Sequence, residues 1–158
     1  MIAAQLEGCD FILDPMAGVG TLARYLGDDH LVWSNEIERE WAEQCPPPHT
    51  TYDARRLPAT WAGQFDAIAT SPACGNRMAD RYAGDPKGSR RHPYRIALGR
   101  HLSPVNGGRD QWGKGYRELH REIWAECVRV NAQIAVSAVP VAWRRYCDDL
   151  AQPEPQLP

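Results

Sequence analysis

The stretch that most constrains this chain is residues 14–21, Asp-Pro-Met-Ala-Gly-Val-Gly-Thr, set directly after the apolar run Phe11-Ile12-Leu13. An apolar run, a glycine-bearing turn and then Thr21-Leu22-Ala23-Arg24-Tyr25-Leu26 predict strand, tight loop and helix. Gly18 and Gly20 let the backbone take conformations and close approaches that other residues resist. The loop hands its N–H groups to the start of a helix, where the dipole favours an electron-rich partner.

Which partner depends on the sign of charge at the strand end. Gly18-Val19-Gly20-Thr21-Leu22-Ala23 formally fits G-x-G-x-x-G/A, but the dinucleotide form of that motif brings its first glycine in almost at once and receives a pyrophosphate. Here Asp14 and Pro15 intervene. A carboxylate at the C-terminal edge of the strand repels phosphate and attracts an ammonium group, which suits an amino acid joined to a nucleoside, S-adenosylmethionine. Residues 14–21 resemble the first motif of class I methyltransferases, in the D-P-x-A-G-x-G-T form of the DNA enzymes that methylate N6 of adenine or N4 of cytosine. The resemblance implies a cofactor loop made of Asp14, Pro15, Ala17, Gly18, Gly20 and Thr21.

The following segments carry the pattern on. Leu31-Val32-Trp33-Ser34-Asn35-Glu36 reads as a second strand, with Glu36 twenty-two residues past Asp14. An acid there can accept both ribose hydroxyls, and Glu36-Ile37 resembles the family's second motif; the plainer reading is that Glu36 caps a helix over 38–44. Pro46-Pro47-Pro48 ends that helix. A third strand is expected at 50–52. The resemblance then gives Asp53, with Ala54, the adenine amino group; a lone Asp at a strand end is otherwise a common turn-former.

A strand over 65–70 leads into Ser71-Pro72-Ala73-Cys74-Gly75-Asn76-Arg77-Met78, which resembles the fourth motif, S-P-P-Y-G-N-R-M, with two replacements. The family's chemistry needs acceptors at the exocyclic nitrogen. The Ser71 hydroxyl and the Pro72 carbonyl supply them and direct the lone pair at the methyl carbon. Ala73 stands for the second proline and Cys74 for the aromatic that stacks on the base, a contact worth about 1–3 kcal/mol. Cys74 reads either as a covalent nucleophile, which would want proline before it, or as a plain small residue.

Composition supports a partner with phosphates. Residues 77–117 hold ten Lys/Arg against three Asp, while the rest of the chain holds eight against seventeen Asp/Glu. This long basic insertion mixes arginine with aromatics, and Arg90-Arg91-His92-Pro93-Tyr94-Arg95 resembles stretches of phage and actinobacterial methyltransferase-like proteins. Arg77, Arg90, Arg91, Arg95 and Arg100 are the candidate contacts to nucleic acid, DNA favoured over RNA. The alternative is a solvated loop whose arginines hold its own carbonyls and carboxylates.

A helix over 116–130, with Leu119, Ile123, Cys127 and Val130 on one face, and a fifth strand over 132–139 complete the order. The expectation is one Rossmann-like α/β domain over 1–150, mostly parallel, strand order 3-2-1-4-5, with the ligand where the order reverses. Relative to the family both ends look trimmed, so a homodimer or partner subunit is an open expectation, and the proline-rich stretch 151–158 reads as a disordered tail. No apolar run approaches the ~20 residues of a membrane span. Five cysteines without ligand spacing read as reduced thiols of a cytoplasmic protein, with no metal site.

Overall fold

Burial on both faces explains why the strands read as apolar runs rather than alternating ones. A computed structural model of the chain describes residues 6–72, 98–109 and 113–131. Strand β1 (Phe11–Asp14) pairs in parallel with β2 (Leu31–Asn35) on one side and β4 (Ala67–Ile68) on the other. Strand β3 (His49–Thr50) adds to β2 at Ser34 and Asn35. The result is a four-stranded, all-parallel sheet of order 3-2-1-4, an arrangement compatible with a Rossmann-like fold. The predicted fifth strand lies outside the described residues. The described chain ends at Asn131, in a parallel bridge to Phe65 just ahead of β4.

The two-residue period of the strands sorts their side chains between two cores. Ile12, Val32 and Ala67 pack with Leu6, Ala23 and Leu26, so helix α1 (Thr21–Leu26) covers one face. Leu13 and Ile68 pack with Leu57, Trp61, Phe65, Ile123, Cys127 and Val130. That second face is covered by helix α3 (Lys114–Val130) and a 3-10 turn at Ala59–Trp61. Aromatic rings fill the gap, with Phe11 against Phe65 at 4.6 Å between centroids and Trp33 against Trp61 at 5.3 Å. The buried line of α3 runs Tyr116, His120, Ile123, Cys127, Val130. It begins about one turn before Leu119, at Tyr116, and takes in the buried His120.

Several boundaries move for local reasons. Strand β2 stops at Asn35 rather than Glu36, and β3 occupies His49–Thr50 rather than 50–52. The Asn35 side chain explains why β3 stops short of Tyr52: its Oδ1 accepts the Tyr52 N–H at 2.9 Å and its Nδ2 donates to the Tyr52 carbonyl at 2.9 Å. Tyr52 is thereby taken out of the backbone ladder. Helix α2 is confined to Arg39–Ala42, within the predicted 38–44, and turns carry the chain on to Cys45 and the three prolines. Gly27 ends α1 as expected, but in right-handed geometry (φ −67°). Among the described residues, no helix is long and apolar enough to cross a membrane.

Candidate functional site

The C-terminal ends of the parallel strands converge on one cleft, which encloses about 730 Å³ of empty space counting its open mouth. Its lining brings together Pro15, Met16 and Gly18 from the glycine loop, Glu36 and Ile37 after β2, Tyr52, Asp53 and Ala54 after β3, and Ser71 after β4. These positions are separated by up to fifty-odd residues in the chain. From sequence, Pro15, Gly18, Glu36, Ile37, Asp53 and Ala54 are expected at the cofactor and Ser71 at the target base, while Met16 and Tyr52 are not anticipated. The far wall was not anticipated. It consists of Val105, Asn106 and Gly107, with Leu119, His120 and Ile123 of α3.

Glu36 is the pivot of the near wall. Its Oε2 accepts the Gly18 N–H at 2.8 Å and its Oε1 accepts the Glu38 N–H at 2.9 Å, so the second-strand acid clamps the glycine loop. The helix-cap reading of Glu36 holds in part: it bonds the Glu38 N–H at the helix start, although the cap position itself is Glu38. Each carboxylate oxygen keeps a further lone pair for a hydroxyl donor. Burial pushes the Glu36 carboxyl up to about 7 against the pull of those two N–H groups, and the Glu38 and Asp14 charges add to the rise.

The two loop glycines do different jobs. Gly18 has φ +57°, and a Cβ there would meet nothing within 4 Å, so space stands open over it. Gly20 has φ +77°, and a Cβ there would lie 2.9 Å from Cys45 Cα and from Pro46 Cδ. Gly20 therefore serves close packing of the loop on the chain after α2, not the cleft. Ala17 is buried and donates its N–H to the Asn35 carbonyl at 3.0 Å, while Thr21 is exposed at the start of α1. Neither lines the cleft.

Asp14 is also outside the lining. It is 3% exposed beneath the loop, and its Oδ1 accepts the Met16 N–H at 3.2 Å. Burial raises its carboxyl to about 6. Any attraction Asp14 exerts on a cationic ligand acts from under the loop.

Asp53 lines the cleft with its carboxylate gripped by Arg55, whose Nη2 stands 2.7 Å from Oδ2. Partial burial works to raise its pKa, but the bonds and charge of Arg55 win and hold it below the ordinary value. Tyr52 presents an exposed ring at the cleft, braced edge-on by Trp61 at 5.5 Å. Ser71 is exposed at the cleft and Pro72 half-buried. Ala73, Cys74, Arg77, Arg90, Arg91 and Arg95 lie outside the described residues, as do Tyr94 and Trp112. Arg100 is described. Its Nη2 lies 2.5 Å from Glu40 and 2.8 Å from Glu38, and it holds the Glu40 carboxyl down at about 2.

Sequence reading missed Asn35, which uses its whole side-chain amide: besides Tyr52, it donates to the Pro15 carbonyl at 3.2 Å and accepts from Thr50 Oγ1 at 2.9 Å. It stitches the glycine loop, β2 and β3 together beneath the cleft. No periodicity marks such a residue; only its place one residue before Glu36 hints at it.

The donor set can be compared with S-adenosylmethionine. Glu36 carries carboxylate oxygens that can accept hydroxyl donors, Tyr52 an exposed ring and Asp53 a carboxylate at the same cleft, and a Cβ at Gly18 would meet nothing within 4 Å. Among the described residues the lining holds no Lys or Arg. No protein-family model matches the chain, and no curated protein matches it.

Proposed function

We propose that this protein is an S-adenosylmethionine-dependent methyltransferase of class I type, acting in the cytoplasm on the exocyclic amine of a base in DNA. The observation that carries the reading is the clamp of the Gly18 N–H by Glu36, in a cleft that also takes in Asp53 and Ser71 at the ends of their strands. Three segments of sequence expected at the cofactor and one expected at the target base line that one cleft.

In this reading Glu36 binds the ribose hydroxyls, and Tyr52 and Asp53 hold the adenine. The bound cofactor supplies a methyl group on a sulfonium, an electrophile that needs no metal. Ser71 would accept a hydrogen of the target amine through its hydroxyl oxygen and Pro72 another through its carbonyl, turning the nitrogen lone pair toward that methyl group. The basic segment around Arg90, Arg91 and Arg95 would meet the phosphate backbone.

A second reading keeps the cofactor cleft without the chemistry: a binding or regulatory protein of methyltransferase type. The replacement of the stacking aromatic by Cys74 favours it, and so does the engagement of Arg100 by Glu38 and Glu40, which withdraws one cation from any nucleic acid. RNA in place of DNA is the third.

Transfer of labelled methyl groups to DNA and to RNA, with the modified base identified, separates the three. The expected result is label on an adenine or cytosine amine in DNA, reduced at least tenfold by Ser71→Ala as one charge-assisted contact is lost from the reacting geometry. Label in RNA alone selects the RNA enzyme. No label in either, from protein that still binds the cofactor, selects the binder.

A further inference from the structure

Glu38 belongs to no motif and does not line the cleft, yet its side chain is fully buried. A buried carboxylate is tolerated only when donors surround it. Those around Glu38 come from one distant segment. Its Oε1 accepts the Ser103 N–H at 2.7 Å and the Asn106 Nδ2–H at 2.8 Å. Its Oε2 accepts the Ser103 hydroxyl at 2.9 Å, and the Arg100 guanidinium stands 2.8 Å away. On its other side, the Glu38 N–H is the donor to Glu36.

We infer that Glu38 is a positioning residue for the cleft: it seats residues 100–107 as the wall facing Glu36, so that the wall and the ligand-holding acid move as one unit. Three details support this. The donors and the wall share one short segment: Ser103 and Asn106 bond Glu38, while Val105, Asn106 and Gly107 line the cleft. Asn106 turns its Oδ1 back to the Gly108 N–H at 2.8 Å, fixing the turn that carries the wall. Gly107 meets α3 closely, since a Cβ there would fall 2.5 Å from Leu119 Cδ2. The wall is thus held against α3 on one side and against Glu38 on the other.

The inference rests on the proposed ligand for its binding readout and on the seating alone for its exchange readout. In the full-length protein, Glu38→Gln removes the charge and sets an amide donor against donors. The expected result is roughly tenfold weaker binding of S-adenosylhomocysteine, the loss of one charge-assisted bond. Amide exchange over 102–108 should speed up while that of β1 and β2 stays as in wild type. In wild type the ligand should slow exchange over 102–108; in Glu38→Gln it should not.

Arg100→Ala, at a partly exposed position, is a second variant that spares the core. It should weaken binding a few-fold, with Arg100→Lys restoring most of it. A purely structural role would lower the unfolding temperature of both variants and leave affinity, measured well below that temperature, unchanged; that result overturns the inference. Unchanged exchange over 102–108 in Glu38→Gln overturns it too. If wild type binds no S-adenosylhomocysteine, the ligand reading and the coupling fall together, and the exchange comparison still decides the seating.

Discussion

Gly20→Ala is expected to destabilise the protein by about 2–5 kcal/mol, while Gly18→Ala, two residues away in the same loop, costs only about 1–2 kcal/mol. Both residues sit in left-handed geometry, so both substitutions carry the roughly 1–2 kcal/mol of a side chain at positive φ. Only at Gly20 does the new methyl group meet Cys45 Cα and Pro46 Cδ at 2.9 Å, adding about 1–3 kcal/mol of overpacking against backbone that cannot swing aside. In a chain of this size the unfolding temperature should fall on the order of 10 °C for Gly20→Ala and a few degrees for Gly18→Ala. The ranking should invert for ligand, because Gly18 lines the cleft and donates its N–H to Glu36. Equal losses of stability in the two variants would mean that the loop does not pack on Cys45 and Pro46 as described.

The ligand-free protein should lose stability as pH rises from 5 to 8. Burial lifts Asp14 from 3.8 to about 6, and burial with neighbouring charge lifts Glu36 from 4.5 to about 7. Between the unfolded and folded values the folded state holds protons that the unfolded chain has released. Stability from these groups is therefore complete below pH 4 and gone once pH has passed the folded values. At about 1.4 kcal/mol per unit, each group accounts for up to roughly 3 kcal/mol. Carboxylates with the opposite shift, Asp53, Glu126 and Glu40, are held low by Arg55, Arg129 and Arg100. They act below the ordinary carboxylate range and leave the window from 5 to 8 to Asp14 and Glu36. Urea midpoints across that window should fall with a constant m-value. A flat or rising profile would show that the two carboxyls are better solvated than their burial implies.

How much of this was legible beforehand depended on distance along the chain. From Phe11 to Asn35, strand, loop, helix and strand follow one another locally, and their apolar spacing and glycines mark them without help from the rest of the fold. Glu36 and Asp53 were picked out by resemblance to the family's motifs, and both line one cleft because a parallel sheet brings strand ends to one edge. Asp14 shows the limit of that logic. Its place at the end of the first strand was read correctly. The turn through Pro15 and Met16 then folds over the carboxyl and takes it out of the cleft. Asn35, Glu38, Asn106 and His120 were not legible, since each matters through partners 15 to 68 residues away or through burial on a helix face. Arg100 carried the right charge for a nucleic acid, but two acids of the chain itself, at and beside the start of α2, take it up first.

The central claim is that the cleft at the ends of β1 to β4 binds S-adenosylmethionine through Glu36. It is tested most directly by calorimetric titration of S-adenosylhomocysteine into wild type and Glu36→Ala at pH 8 and at pH 6. At pH 8 wild type should bind one ligand per chain. At pH 6 only about a tenth of Glu36 is ionised for a group titrating near 7, so binding should be about tenfold weaker. Glu36→Ala should lose on the order of 1.5–3 kcal/mol at pH 8, the worth of hydrogen bonds to a charged group, and most of its pH dependence with it. Folded wild-type protein that takes up no ligand at pH 8, or binding indifferent to both Glu36→Ala and pH, would contradict the account.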